Sequence, residues 1–135
     1  PSLSPMRPTV CESPIEAKLL GALEAVLPRS ATIWPQLQVG RYRLDFAVTY
    51  GGRAACVEAD GEGWHAPKDV QAKDRERDAF LHSLGFIVIR FTGKRIHRDP
   101  IGCARKVSNA LGCPDPRWQV CVAVAVVFVL IALFL

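Results

Sequence analysis

Between Tyr42 and Arg90 the chain sets carboxylates at the ends of apolar, strand-like runs, and nothing else in it limits the fold as much. The alternating run YRLDFAV carries Asp45, and Glu58 and Asp60 follow the apolar run Ala54-Ala55-Cys56-Val57. Residues two apart on a strand share a face. Glu58 and Asp60 therefore point the same way, and a neighbouring strand holding Asp45 completes an acidic cluster. A packed core gains nothing from acids at such positions. Ionised carboxylates held together repel, so one takes up a proton or a cation binds them. Oxygen-rich sets of this kind suit Mg2+ or Mn2+.

The surrounding pattern is α/β. Ser13, Pro14 and Glu16 make a capping-box start, and Leu19, Leu20, Leu23, Val26 and Leu27 form a helical stripe that Pro28 ends. Strands are expected over 33–39 and 42–50, joined at Gly40-Arg41. The Gly51-Gly52 turn leads to a third strand over 53–58. After a loop over 61–67, the pattern predicts a helix over 69–84 ended by Gly85, a buried strand over 86–91 and a last helix over 99–111. A helix between the last two strands implies at least one parallel pair.

The order of these parts resembles the restriction-endonuclease-like, PD-(D/E)XK, nucleases, in the branch related to the very-short-patch-repair (Vsr) endonucleases. The matching pieces are ESPIEAKLLGALE, QVGRYRLDFAV, VEADGEGWH, RERDAFLHSLGFIVIRF and DPIGCARKVSNAL. The resemblance implies a restriction-endonuclease-like core (helix, three strands, helix, strand, helix) over 13–112. It implies metal-dependent cleavage of nucleic acid, DNA before RNA. By resemblance Asp45 matches the first metal-binding Asp and Glu58 the second acid, and Asp60 stands where the superfamily's usual lysine would be. His65 is then the leading proton-handling residue, with Lys73 behind it. Glu16 is either the capping-box acid alone or, by resemblance, an acid added to the metal site.

Charge supports a polyanionic partner. The chain of 135 residues carries a formal net charge of +4, and all seventeen Lys and Arg residues precede Trp118. From Arg90 to Arg117 seven basic residues stand against two acids. Lys68, Lys73, Arg75, Lys94 and Arg95 are candidates for contacts to a nucleic-acid backbone, which carry no sequence information themselves. Arg77 and Asp78 fall in the resemblance pattern and either belong to a salt-bridged solvent face of the helix or orient the site, and Arg77 is also a candidate backbone contact. Arg90 interrupts the apolar run FIVIRF and needs an acidic partner or a phosphate. His82 and His97 carry no assigned role. The five cysteines are odd in number with no CxxC pair, which argues against a disulfide framework or a zinc site and for a reducing, cytoplasmic setting.

The two ends stand apart. Residues 1–12, rich in Pro and Ser, are expected to form a disordered leader without a signal peptide. Over 118–135 only Gln119 is polar, and eighteen helical residues would reach about 27 Å, close to the hydrocarbon thickness of a bilayer. This predicts a C-terminal transmembrane tail anchor, with the membrane as a second partner and the nuclease-like domain on the cytoplasmic side. The alternative to an endonuclease is a non-catalytic, membrane-tethered module that keeps the fold and binds nucleic acid.

Overall fold

The computed structural model describes residues 11–60, 68–114 and 116–134, with side chains at all of these except 60 and 116–123. The expected leader lies outside the described residues except at Cys11 and Glu12, and so does the loop over 61–67.

Helix α1 (Pro14–Val26) begins as its sequence requires. Ser13 is the N-cap, its Oγ accepting from Glu16 N at 3.2 Å, and Pro14 takes the first helical position, where no N–H is needed. The Glu16 carboxylate accepts from Ser13 Oγ at 3.2 Å and from Glu12 N at 2.9 Å. The helix stops at Leu27, which is extended ahead of Pro28. Strands β1 (Thr32–Val39), β2 (Tyr42–Tyr50) and β3 (Arg53–Asp60) form an antiparallel meander. Gly51 and Gly52 both have positive φ, 56° and 79°, as a tight two-residue turn between right-twisted strands demands. Helix α2 (Lys68–Ser83) then crosses over to β4 (Phe86–Thr92), which pairs with β3 in parallel, so the sheet order is β1-β2-β3-β4. The expected parallel pair is present.

Beyond the sheet the chain forms α3 (Gly93–Arg98), α4 (Pro100–Ala110) and α5 (Pro116–Phe134). The sequence pattern did not anticipate α3. Thr92, the last residue of β4, caps it through Oγ1, which accepts from Arg95 N at 3.2 Å, so strand passes to helix without a loop. Asp99 ends α3 and starts α4, its Oδ1 accepting from Gly102 N at 2.9 Å.

Three layers result. Leu19 and Leu23 of α1, Ile96 of α3 and Ala104 and Val107 of α4 pack on one face of the sheet against Phe46, Val48, Val57 and Ile89. Phe80 and Leu81 of α2 cover the other face, against Leu37, Val39, Leu44, Cys56 and Val88. The hairpin made by β1 and β2 belongs to both. Ile33, Phe46 and Val48 face the α1 side, whereas Leu37, Val39 and Leu44 face α2. In regular pleating Leu44 and Phe46 would share a face. They do not, and the register shows where the faces exchange. Pro35 pairs with Phe46 and Leu37 with Leu44, but the intervening pair, Gln36 and Asp45, is missing from the ladder. Gln36 has φ 53°, the one positive value at a non-glycine among the described residues. A single left-handed residue turns the ribbon over.

Among the described residues no helix is long and apolar enough to cross a membrane. This corrects the expectation of a transmembrane helix over 118–135, and with it the membrane as partner and the membrane-anchored localisation.

Candidate active site

The exchange of faces places Asp45 at the edge of β2 beside β3. The β2–β3 ladder runs to the pair Phe46 and Val57, so the next register position sets Asp45 across from Glu58. Asp45 is half-buried, and its Oδ2 accepts from Ala59 N at 2.8 Å, so a side chain satisfies a strand N–H. Glu58 is 4% exposed. A carboxylate so buried needs compensation, and α2 provides it. Arg77 Nη2 donates to Glu58 Oε1 at 2.5 Å. Cys56, two residues earlier on the same face, donates its thiol to the same oxygen at 3.1 Å. Burial, and then the Glu58 charge, push the Cys56 thiol well above its usual range. It is a weak donor here, not a nucleophile.

Arg77 is held in its turn. Its Nη2 also donates to the Arg43 carbonyl at 3.2 Å, and its guanidinium lies 6.0 Å from the centre of the Tyr42 ring. Its Nε is buried and has no hydrogen-bond partner among the described residues. Arg90 on β4 is the parallel-register partner of Glu58. It forms a two-pronged pair with Asp78 of α2, Nη1 to Oδ2 at 2.8 Å and Nη2 to Oδ1. The hydrogen bond from Arg90 holds the Asp78 carboxyl below the usual carboxylate range. The acid expected for Arg90 is therefore Asp78, one helical residue beyond Arg77.

The other expected residues distribute as follows. Glu16 is 8% exposed, and its carboxylate serves Glu12 N, Ser13 Oγ and Gln36 Nε2, the last at 2.9 Å. Asp60 closes β3, paired in register with Thr92, and its side chain lies outside the described atoms. His65 lies outside the described residues. Lys68, Lys73 and Arg75 are exposed on α2, and Lys94 and Arg95 on α3. Among the described residues no group of three or more His, Cys, Asp or Glu is placed to hold a metal ion. Asp45 and Glu58 lie one register step beyond the last printed pair of the β2–β3 ladder, with Arg77 and Cys56 bonded to Glu58 and the Arg90–Asp78 pair on the neighbouring elements.

Two contributors escape a reading of the sequence. Cys56 reads as an apolar strand residue, and its bond to Glu58 follows only from their shared face. Gln36 sits in an ordinary-looking strand. Its one signal is Pro35 before it, since proline within a strand marks an edge or a bulge, and β1 is an edge strand.

The family model REase_MTES_1575 matches residues 21–111. No curated protein matches the chain.

Proposed function

Because the chain belongs to the restriction-endonuclease-like family REase_MTES_1575, we propose that it is a divalent-metal-dependent endonuclease hydrolysing phosphodiester bonds in DNA. The observation that carries this reading is the buried Glu58 one register step past the last β2–β3 pair, where Asp45 continues the neighbouring strand and accepts from Ala59 N. Mg2+ is ordinarily held by one or two carboxylates together with waters and substrate phosphates, and a facing Asp–Glu pair is that donor set. Asp45 and Glu58 would hold Mg2+ or Mn2+, with Asp60 beside Glu58 as a third acid. When bound, the cation supplies Lewis-acid polarisation of the scissile phosphate and a more acidic attacking water.

The chain's own groups do the rest. His65 takes the proton from the attacking water, with Lys73 as the other base. The Arg77 Nε–H, already desolvated and without a partner among the described residues, is a donor for a non-bridging phosphate oxygen. Its cost of burial is met before the substrate arrives, which is how a fixed donor assists developing charge. Arg90, Lys68, Arg75, Lys94 and Arg95 contribute contacts to the backbone. The Vsr-like branch is the relationship that the motifs VEADGEGWH and RERDAFLHSLGFIVIRF favour.

One observation favours a second reading, a nucleic-acid-binding module without turnover: Glu58 already has a cationic partner in Arg77. Incubating supercoiled plasmid with the full chain in Mg2+, Mn2+ or EDTA separates the two. Nicking or linearisation in either metal and none in EDTA is expected. Binding without cleavage in all three would establish the module.

A further inference from the structure

We infer that Gln36 is a positioning residue for the Asp45–Glu58 site, an inference that rests on the metal-dependent reading above. Three independent observations meet at this residue. Its backbone is left-handed, φ 53°, where a side chain other than glycine is strained. Strain of this kind persists only where the surroundings impose it, and it gathers at functional sites. Its register partner across β1 and β2 is Asp45, at the one gap in that ladder. Both polar atoms of its amide are committed: Nε2 donates to Glu16 Oε2 at 2.9 Å, and Oε1 accepts from Arg43 Nε at 2.6 Å.

These contacts bind three elements at one point. Glu16 belongs to α1, and Arg43 lies on β2 two residues before Asp45. Arg43 also reaches Glu12 ahead of α1, and its carbonyl accepts from Arg77. The Gln36 amide therefore fixes the segment of β2 leading into Asp45 between α1 on one side and the Arg77–Glu58 pair on the other. The left-handed turn exchanges the faces of the ribbon, and the amide holds the exchange in one geometry. What this sets is the direction of the Asp45 carboxylate, recorded by its hydrogen bond to Ala59 N. Glu16 then acts as the anchor of Gln36, which accounts for a buried acid on α1 without making it a ligand.

The test uses Gln36→Gly in the full chain, because glycine takes the left-handed backbone without strain while the amide is lost. Mn2+ affinity is measured by titration of the free-Mn2+ EPR signal well below the melting temperature, and the Ala59 amide by NMR hydrogen exchange without metal. Outer-shell partners of metal ligands are worth about 10–100-fold in affinity. A loss in that range, with faster exchange at Ala59, is the expected result. Should Gln36→Gly not fold, Gln36→Asn also tolerates the left-handed region but falls one carbon short of Glu16, and the same losses are expected. Wild-type Mn2+ affinity in the folded variant, whatever its melting temperature, overturns the role of Gln36 alone. A wild-type chain that binds no Mn2+ overturns this role and the metal-dependent reading together.

Discussion

Arg77 and Glu58 form a largely buried ion pair, with side chains 19% and 6% exposed and Nη2 2.5 Å from Oε1. It joins α2 to β3, inside the sheet. An exposed pair such as Arg41 with Glu76 is worth little by comparison.

Arg77→Ala takes the guanidinium away from a buried carboxylate. Breaking a buried pair by removing one partner costs roughly 3–5 kcal/mol, and partial exposure of Arg77 places this case at the lower end, about 3 kcal/mol. Urea unfolding of the folded domain should show the loss. The double variant Arg77→Ala/Glu58→Gln should recover part of it, since a neutral amide leaves no unpaired charge. Equal instability of single and double variants would mean that Arg77 acts through packing.

Asp45→Asn keeps an oxygen that can accept from Ala59 N, so the fold should survive while the ionised donor is lost. A ligand that binds only the folded state adds about 2.7 kcal/mol of stability at one hundred times its dissociation constant. Mn2+ should raise the melting temperature of the wild-type chain and leave that of Asp45→Asn almost unmoved. Plasmid cleavage by Asp45→Asn and by Glu58→Gln should be abolished. Near wild-type cleavage by both would place the chemistry elsewhere.

The Asp78 carboxyl titrates below its ordinary value because Arg90 donates to it. A depressed folded-state pKa adds stability that is complete above the unfolded value, near pH 4, and disappears as the pH falls through the folded value. Asp78→Asn should flatten the decline in stability below pH 4 and leave its slope above pH 5 unchanged. Circular dichroism melts at half-unit intervals from pH 2 to pH 6 would reveal it. An unaltered acid limb would show that Asp78 is not coupled to folding.

Gly40 carries φ 57°, and a Cβ there would lie 2.9 Å from Phe80 Cζ. Gly40→Ala should therefore cost about 1–2 kcal/mol for the left-handed backbone, with a further loss from crowding. Phe80→Leu in the same chain should restore the crowding share only. A Gly40→Ala variant as stable as wild type would contradict the geometry of the β1–β2 turn.

Much of this fold is written locally. The capping box at Ser13 and Glu16, the Gly51-Gly52 turn and the helical crossover into β4 each depend on residues close in sequence, and each stands where the pattern indicated. The helix α3 was invisible because Thr92 serves at once as the last strand residue and as a cap, with no breaker between. The exchange of faces at Gln36 escaped for a different reason. Alternation counts apolar positions, and a left-handed residue shifts the phase without changing the count. Around the site, Asp45 and Glu58 were legible as acids in strand-like runs, though both lie within their strands and not at the ends, and the partners of Glu58 and Arg90 come from α2 and depend on how that helix lies on the sheet. The apolar tail was over-read from length and composition alone.

One hairpin contributes Ile33, Phe46 and Val48 to the core under α1 and Leu37, Val39 and Leu44 to the core under α2. Neither core can open without withdrawing the same two strands from the other. A sheet with unbroken alternation along this hairpin would let the α2 layer peel away by itself, as a separate low-energy opening. Here the two layers are tied into one cooperative unit. The amides of Leu44 and Val48, residues that lie opposite Leu37 and Ile33 of β1 on either side of the crossover, should report the same opening free energy in native-state hydrogen exchange, equal to that of global unfolding.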